Sequence, residues 1–303
     1  MGGKIDTADQ EWRQAIRCHP KNLLSVVPLR RRSGMTIAIG TIFDGGAIVC
    51  ADTKVSASDG ATTYGSKAFM GVSRTRRMYA LADSAEDAYA AKMLGGEIST
   101  AISVADKSFR VEETIKPVME RWYNSYHHIQ PPQIQFLLAF IQESWERAML
   151  YYCEPPSTVA YGSHIAIGKG SRVVDPHLGI FSPTQKEKLD AKSALIKLAY
   201  LMHLAKTDEG AACGGDTHAF VIGVDGGFAL VDDAEMREAE NLAKKLTELM
   251  GMELRKITSI RPNDLSKTFS KASSEIREAY RNLTFKSLEL MEKNKLWKIG
   301  TVA

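Results

Sequence analysis

Nowhere does the chain carry an apolar run approaching the ~20 residues that a membrane-spanning helix needs. Cysteine is scarce. Cys18, Cys50, Cys153 and Cys213 are the only four and form no C-x-x-C pair, which argues against a zinc ribbon or a disulfide framework. Cys50 sits in a strand-like run and reads as a small core residue. An excess of either charge is lacking too: 39 Lys and Arg against 36 Asp and Glu leave a formal net charge of +3. That balance gives no footprint for nucleic acid or for an anionic membrane. The tightest basic clusters, Arg30-Arg31-Arg32 and Arg74-Thr75-Arg76-Arg77, are short and read as solvated turns or tails. The first residues, Met-Gly-Gly-Lys-Ile-Asp-Thr, hold no apolar signal region, and the spacing after Gly2 does not fit an acylation pattern. The expected setting is the cytoplasm. His164, His177, His203 and His218 lack metal-ligand spacing, and His127-His128 before Pro131-Pro132 read as a helix end. Gly168-x-Gly170 is too short for a nucleotide loop. No metal and no cofactor is expected. Trp122, Tyr123 and Tyr126 read as a packed helix face.

What the chain does have is enough apolar content, 44% over 303 residues, to bury a substantial core. Three regions follow from the patterning. Residues 1–34 are mixed and polar, with a short helix expected at Glu11–Arg17, and read as an N-terminal extension or propeptide. Residues 35–232 alternate strand-like and helix-like segments. Residues 233–303 are helical in pattern and rich in Lys and Glu, with Leu242, Leu246, Leu249 and Met250 on one stripe. Pro262 and Asn263 break that pattern, which resumes over Leu265–Lys295. This extension is expected to pack on its own subunit, with docking to a neighbour as the alternative.

The middle region opens on Thr36–Phe43, the turn Asp44-Gly45-Gly46, and Ala47–Ala51. Two β-rich runs around Asp-Gly predict a hairpin. A turn centred near Asp44 sets Asp52 opposite Thr36 on the neighbouring strand. Strands are expected at Ser66–Val72 and Arg77–Ala82, after a loop at Ser56–Gly65. Ser84, with Asp87 after it, reads as the N-cap of a helix over Ala85–Val104. Further on come a helix over Val111–His127, strands at Gln133–Gln142, Met149–Cys153 and His164–Gly168, and an amphipathic helix at Lys188–Lys206. Ala219–Val224 and Phe228–Val231 close the region as a hairpin. That order suits sheets packed face to face with helices outside, not a parallel βαβ fold.

Thr36-x-x-x-Gly40, Asp44-Gly45 and Val49-x-Ala51-Asp52 resemble the opening of proteasome β subunits and related bacterial threonine proteases. Leu81–Ala88 is similar to that family's strand-to-first-helix junction. Ala166–Ser171 resembles its glycine-rich turn, and Gly214-Gly215 with Ala219–Gly226 its closing strands. The resemblance runs over about residues 35–232 in the family's order. It implies an α+β fold, the four-layer α-β-β-α sandwich of the N-terminal-nucleophile hydrolases, followed here by a helical C-terminal extension. It also implies a threonine-type peptidase subunit acting on peptide or protein substrates in a homo-oligomeric ring, with an ATP-dependent unfoldase as a candidate partner. A catalytically silent ring subunit and a non-proteolytic amidase are the alternatives.

A threonine hydroxyl becomes a nucleophile only when a base takes its proton, and a free α-amino group of pKa about 7.7–8.0 can do so. By resemblance Thr36 supplies nucleophile and base, Asp52 the orienting carboxylate and Lys67 the cation. Lys67 falls one residue short of the family position, which a deletion in the Ser56–Gly65 loop absorbs. Asp83 stands where relatives place an oxyanion-hole glycine, Lys169 where they carry a serine, and Cys213, after Asp208 and Gly210, where they carry a supporting Asp-x-x-Ser pair. These three form the expected oxyanion and support shell, and Lys169 could pair with Asp83. The order Gly34-Met35-Thr36 suits removal of an initiator methionine, so translation is expected to start at Met35.

Overall fold

The computed structural model describes residues 36–56, 62–75, 78–105, 110–126, 130–142, 147–178, 189–210 and 212–258, with Ser274 alone beyond them. The expectations for residues 1–35, His127-His128, Arg76-Arg77 and 259–303 fall outside these residues.

The predicted hairpin is the centre of the first sheet. Strand β1 (Ile37–Phe43) turns through Asp44-Gly45 into β2 (Gly46–Asp52). Gly45 takes a φ of 100°, a left-handed conformation that glycine adopts without steric cost. Ala38 faces Ala51 and Phe43 faces Gly46. This register lies one residue further along β2 than a turn centred on Asp44 gives, because the loop has two residues. β10 (His164–Gly168) pairs with β1, and β11 (Thr217–Gly223) with β2; β12 (Phe228–Leu230) completes the antiparallel order β10-β1-β2-β11-β12.

A second antiparallel sheet has the order β5-β6-β7-β8-β9. Its strands are β5 (Ala68–Val72), β6 (Met78–Ala85), β7 (Ile134–Gln142), β8 (Arg147–Glu154) and β9 (Thr158–Tyr161). Alternation along the strands sorts their side chains. Ala38, Val49 and Ala51 of the first sheet pack against Ala80, Ala82, Leu137, Ala139 and Leu150 of the second. Small residues dominate this seam, and at Gly40 a Cβ would lie 2.7 Å from Leu150 Cδ1, so the sheets approach closely there.

The opposite faces are covered by helices. Ile37, Ile39, Ile48 and Cys50 pack beneath Ala194, Leu195, Leu198 and Met202 of a helix at Ala191–Asp208, and beneath Met236 and Ala239 of a helix at Asp233–Thr258. On the second sheet, Tyr79, Leu81, Phe136 and Leu138 meet Leu94 and Ile98 of α1 (Ala88–Val104) and Ile115 and Met119 of α2 (Val111–Asn124). A short helix, α3 (Ser171–Leu178), follows β10, so the two helices named first are α4 (191–208) and α5 (233–258). Among the described residues, no helix is long and apolar enough to cross a membrane.

The expectation of a plain four-layer α-β-β-α sandwich needs correction. The described residues make three antiparallel sheets and five helices. The extra sheet pairs β3 (Lys54–Ser56) with β4 (Thr62–Tyr64), in a stretch expected to be mostly loop. Val55, Thr62 and Thr63 carry the β-branched side chains that suit a short ladder. The capping assignment also changes. Ser84 is inside β6, and Asp87 is the N-cap of α1, its Oδ1 accepting from Tyr89 N at 2.8 Å and Ala90 N at 3.0 Å. A carboxylate at that position satisfies two amides at the helix start that have no partner within the helix.

Candidate active site

Strand ends bring Thr36, Asp52 and Lys67 together. Thr36 stands immediately before β1, Asp52 is the last residue of β2, and Lys67 immediately precedes β5 across the seam between the large sheets. Their exposures are 2%, 0% and 8%, so their mutual contacts act with little solvent screening. The Thr36 hydroxyl donates to Asp52 Oδ1, and Lys67 Nζ donates to Thr36 Oγ1. Lys67 Nζ also donates to Asp52 Oδ1 at 2.9 Å and to the Lys54 carbonyl. An ammonium has three protons, and here all three are committed, so the charge is fixed on the threonine oxygen.

Asp52 is held as firmly. Ile37 N donates to its Oδ1 at 3.2 Å and Gly214 N to its Oδ2 at 2.9 Å. The one-residue shift in register explains the first contact, since the side chain of Asp52 must reach back to Thr36 from beside Ile37. On the other flank β10 ends at Gly168, whose φ is 87°. Gly170 N then donates to the Thr36 carbonyl at 3.3 Å. Gln135 of β7 accepts from Gly168 N at 3.0 Å and donates to the Tyr152 hydroxyl at 3.1 Å. The turn beside Thr36 is thereby tied to the second sheet.

The three residues expected to form a support shell are placed differently. Asp83 N donates to the Lys67 carbonyl at 2.9 Å, so that amide is committed to the strand pair rather than aimed at a substrate oxygen. Burial pushes the Asp83 carboxyl up to about 7 against the pull of Lys67 and Lys92. Lys169 is half-buried in the turn and makes no ion pair with Asp83 among the described residues. The thiol of Cys213 is buried, and burial first, then the charge of Asp52, pushes it up to about 12. At that value it is a neutral packing group, not a nucleophile. Gly210 gives its carbonyl to Lys54 Nζ at 2.7 Å, and Asp208 is exposed at the end of α4.

No protein-family model matches the chain, and no curated protein matches its sequence. Solved structures match it in fold. The fold is shared with Anbu. A Gly-1 mutant of Anbu from Hyphomicrobium sp. strain MC1 superposes with a TM-score of 0.55 at 12% identity, covering 75% of this chain and 98% of that one. Another Anbu structure from the same strain gives 0.53 at 12% identity with the same coverage. Anbu (ancestral beta-subunit) from Yersinia bercovieri gives 0.56 at 10% identity, covering 71% of this chain and 96% of that one. The relationship to these beta-subunit-like proteins is a weak, proteasome-like structural one.

The expected membership of the proteasome-type N-terminal-nucleophile hydrolases therefore does not stand. Identities of 10–12% establish a likeness of fold and nothing finer.

Several residues that shape the site escaped the sequence reading. Gly214, Gln135 and Lys54 act through contacts to main-chain atoms or through their own main chain, which leave no side-chain pattern. Ser84 is a further case: its hydroxyl is buried without a hydrogen-bond partner among the described residues, beside Gly168. No local signal distinguished it from a helix cap.

Proposed function

We propose that the chain is a threonine-type amide-bond hydrolase, a peptidase subunit working in a homo-oligomeric ring, with Thr36 as its nucleophile. The observation that carries this reading is the buried contact of one hydroxyl with both an ammonium and a carboxylate, at Thr36, Lys67 and Asp52. Lys67 Nζ, donating to Thr36 Oγ1, stabilises negative charge on that oxygen, and Asp52 fixes the lysine. The proton must leave the hydroxyl for a base. In this reading the base is the α-amino group of Thr36, freed when the residues ahead of it are removed or not translated. Oγ1 then bonds to the substrate carbonyl carbon, and the amine passes its proton to the departing nitrogen. Water hydrolyses the resulting ester.

The substrate class is peptide or unfolded protein. An ATP-dependent unfoldase is the partner such a ring would require for folded substrates. Three unpaired buried thiols among the described residues, Cys50, Cys153 and Cys213, suit a reducing compartment such as the cytoplasm.

One observation favours a second reading, a silent ring subunit. The Asp83 amide is tied up by Lys67, and a half-buried carboxylate beside a developing oxyanion would oppose catalysis. A single experiment separates the two. Protein beginning at Thr36, its start verified by intact mass, is assayed on fluorogenic peptides and small amides beside Thr36→Ala. Cleavage of peptides that the substitution abolishes supports the peptidase. Cleavage of small amides alone points to an amidase, and no cleavage from a free Thr36 leaves the silent subunit.

A further inference from the structure

Directly behind Asp52 lies a second charged pair that the proposed reaction does not use. Lys206 of α4 and Glu240 of α5 meet at 2.9 Å and are only 13% and 15% exposed. Both reach strand β11: Lys206 Nζ donates to Thr217 Oγ1 at 2.7 Å, and the Thr217 hydroxyl donates to Glu240 Oε1. Thr217 is the cross-strand partner of Asp52. Directly opposed residues share a face, with Cβ atoms ~4.5–5.5 Å apart. The ammonium of Lys206 therefore stands one short side chain away from the carboxylate that holds Lys67.

The surroundings give these charges few other partners. Met236, Ala239, Ala243 and Leu246 form the buried stripe of α5, and Glu240 borders it. Around Cys50 and His203, which adjoin the pair, stand Asp52 of β2 and Lys244 and Glu248 of α5, and Arg237 of α5 lies 3.7 Å from Asp216 just ahead of β11. Burial, then the charge of Glu240, pushes the Cys50 thiol up to about 12, so it stays neutral. Among these neighbours the carboxylates are Asp52, opposite Thr217, Asp216, which faces Arg237, and Glu248, two turns along α5. A well-packed apolar pair at 206 and 240 would serve stability at least as well as a buried ion pair.

We propose that Glu240 is a positioning residue for the Thr36–Lys67–Asp52 centre: it holds Lys206 on Thr217 and so keeps a second ammonium from competing for Asp52. The long C-terminal helix α5 is thereby part of the site's electrostatics, not an appendage. This inference rests on the reading of Thr36 as nucleophile. Without Glu240, Lys206 turns to Asp52, Lys67 loses its counter-ion, and the added positive charge favours the neutral form of any amine beside Thr36.

The test compares wild type, Glu240→Gln, Lys206→Met and the double substitution, all beginning at Thr36. In Glu240→Gln the expected result is a kcat reduced by ~10–100-fold, the scale of losses when an orienting partner is removed. KM changes little, and the acidic limb of the pH profile moves to lower pH. The double substitution removes the stray ammonium and recovers most of the activity, which a helix needed only for packing would not do. The Nζ of Lys67 is also followed by its NMR shift at fixed pH, which reports its contact with Asp52 and needs no turnover. That signal moves in Glu240→Gln and returns in the double substitution.

A wild-type profile and an unmoved Lys67 in Glu240→Gln overturn the proposal, as does a double substitution no better than the single. If Thr36→Ala leaves activity unchanged, the nucleophile reading fails separately, and the Lys67 NMR signal still decides whether Glu240 shields the pair. If Glu240→Gln does not fold, the Lys206→Met enzyme decides: near-normal kcat and pH profile support the proposal, and a collapsed kcat overturns it.

Discussion

At Gly168 a single added methyl group would meet both a strained backbone and main chain. The glycine's φ of 87° already excludes ordinary side chains, and an alanine there carries the ~1–2 kcal/mol penalty of the left-handed region. The added Cβ would lie 2.3 Å from the Thr36 carbonyl oxygen and 2.7 Å from Ser84 Oγ. The serine can rotate away. The carbonyl cannot, because it belongs to the main chain leading into β1 and accepts from Gly170 N. Relief therefore requires moving Thr36 or the turn, at the ~1–3 kcal/mol typical of overpacking. Together the two effects give ~2–5 kcal/mol for Gly168→Ala. Gly96, exposed in α1 with nothing within 4 Å of its virtual Cβ, is the control. Gly96→Ala should gain ~0.5–1 kcal/mol. Urea unfolding reads both as midpoint shifts at unchanged m. If Gly168→Ala unfolds within ~0.5 kcal/mol of wild type while Gly96→Ala gains, the reasoning about this turn is wrong.

Two further outcomes are expected. Lys67→Met leaves Asp52, 0% exposed, without its cation, and should cost ~3–5 kcal/mol, whereas adding Asp52→Asn should cost far less than the sum of the two single changes. Additive unfolding free energies across that double-mutant cycle would contradict a coupled pair. Asp83→Asn tests the half-buried carboxyl. With its folded value raised from 3.8 to about 7, the native chain holds the extra proton between those values, so wild-type stability falls as pH rises through that window. The variant should therefore be more stable than wild type above pH 7. Its advantage should shrink steadily toward pH 4 in thermal melts, and an advantage independent of pH counts against the burial of that group.

Local chemistry in the sequence was sufficient for much of the scaffold. Asp44-Gly45 demands a tight turn, and the β-rich runs on either side make β1 and β2 whatever surrounds them. Amphipathic spacing marked α4 to within a few residues, and α1 and α2 were also expected close to where they lie. The Ser84 assignment failed because Ser and Asp are both good caps, and only the strand pairing of Ser84 with Gln135 decides between them. The short pair β3 and β4 is held by a ladder of three residues on each side, too short for periodicity to reveal.

For the site, it was a family resemblance in the sequence that singled out Thr36, Asp52 and Lys67. It could not settle their geometry. Lys67 and Thr36 lie 31 positions apart on different sheets, and their contact exists only because the two large sheets pack along an alanine-rich seam. Gly214 reaches Asp52 from 162 positions away, and Glu240 reaches Thr217 from a helix beyond the last strand. Such contacts join main-chain amides or buried charges across long loops, and neither leaves a local pattern. The chain's residue types determined which chemistry is available, and the register and packing of its sheets decided which of those residues meet.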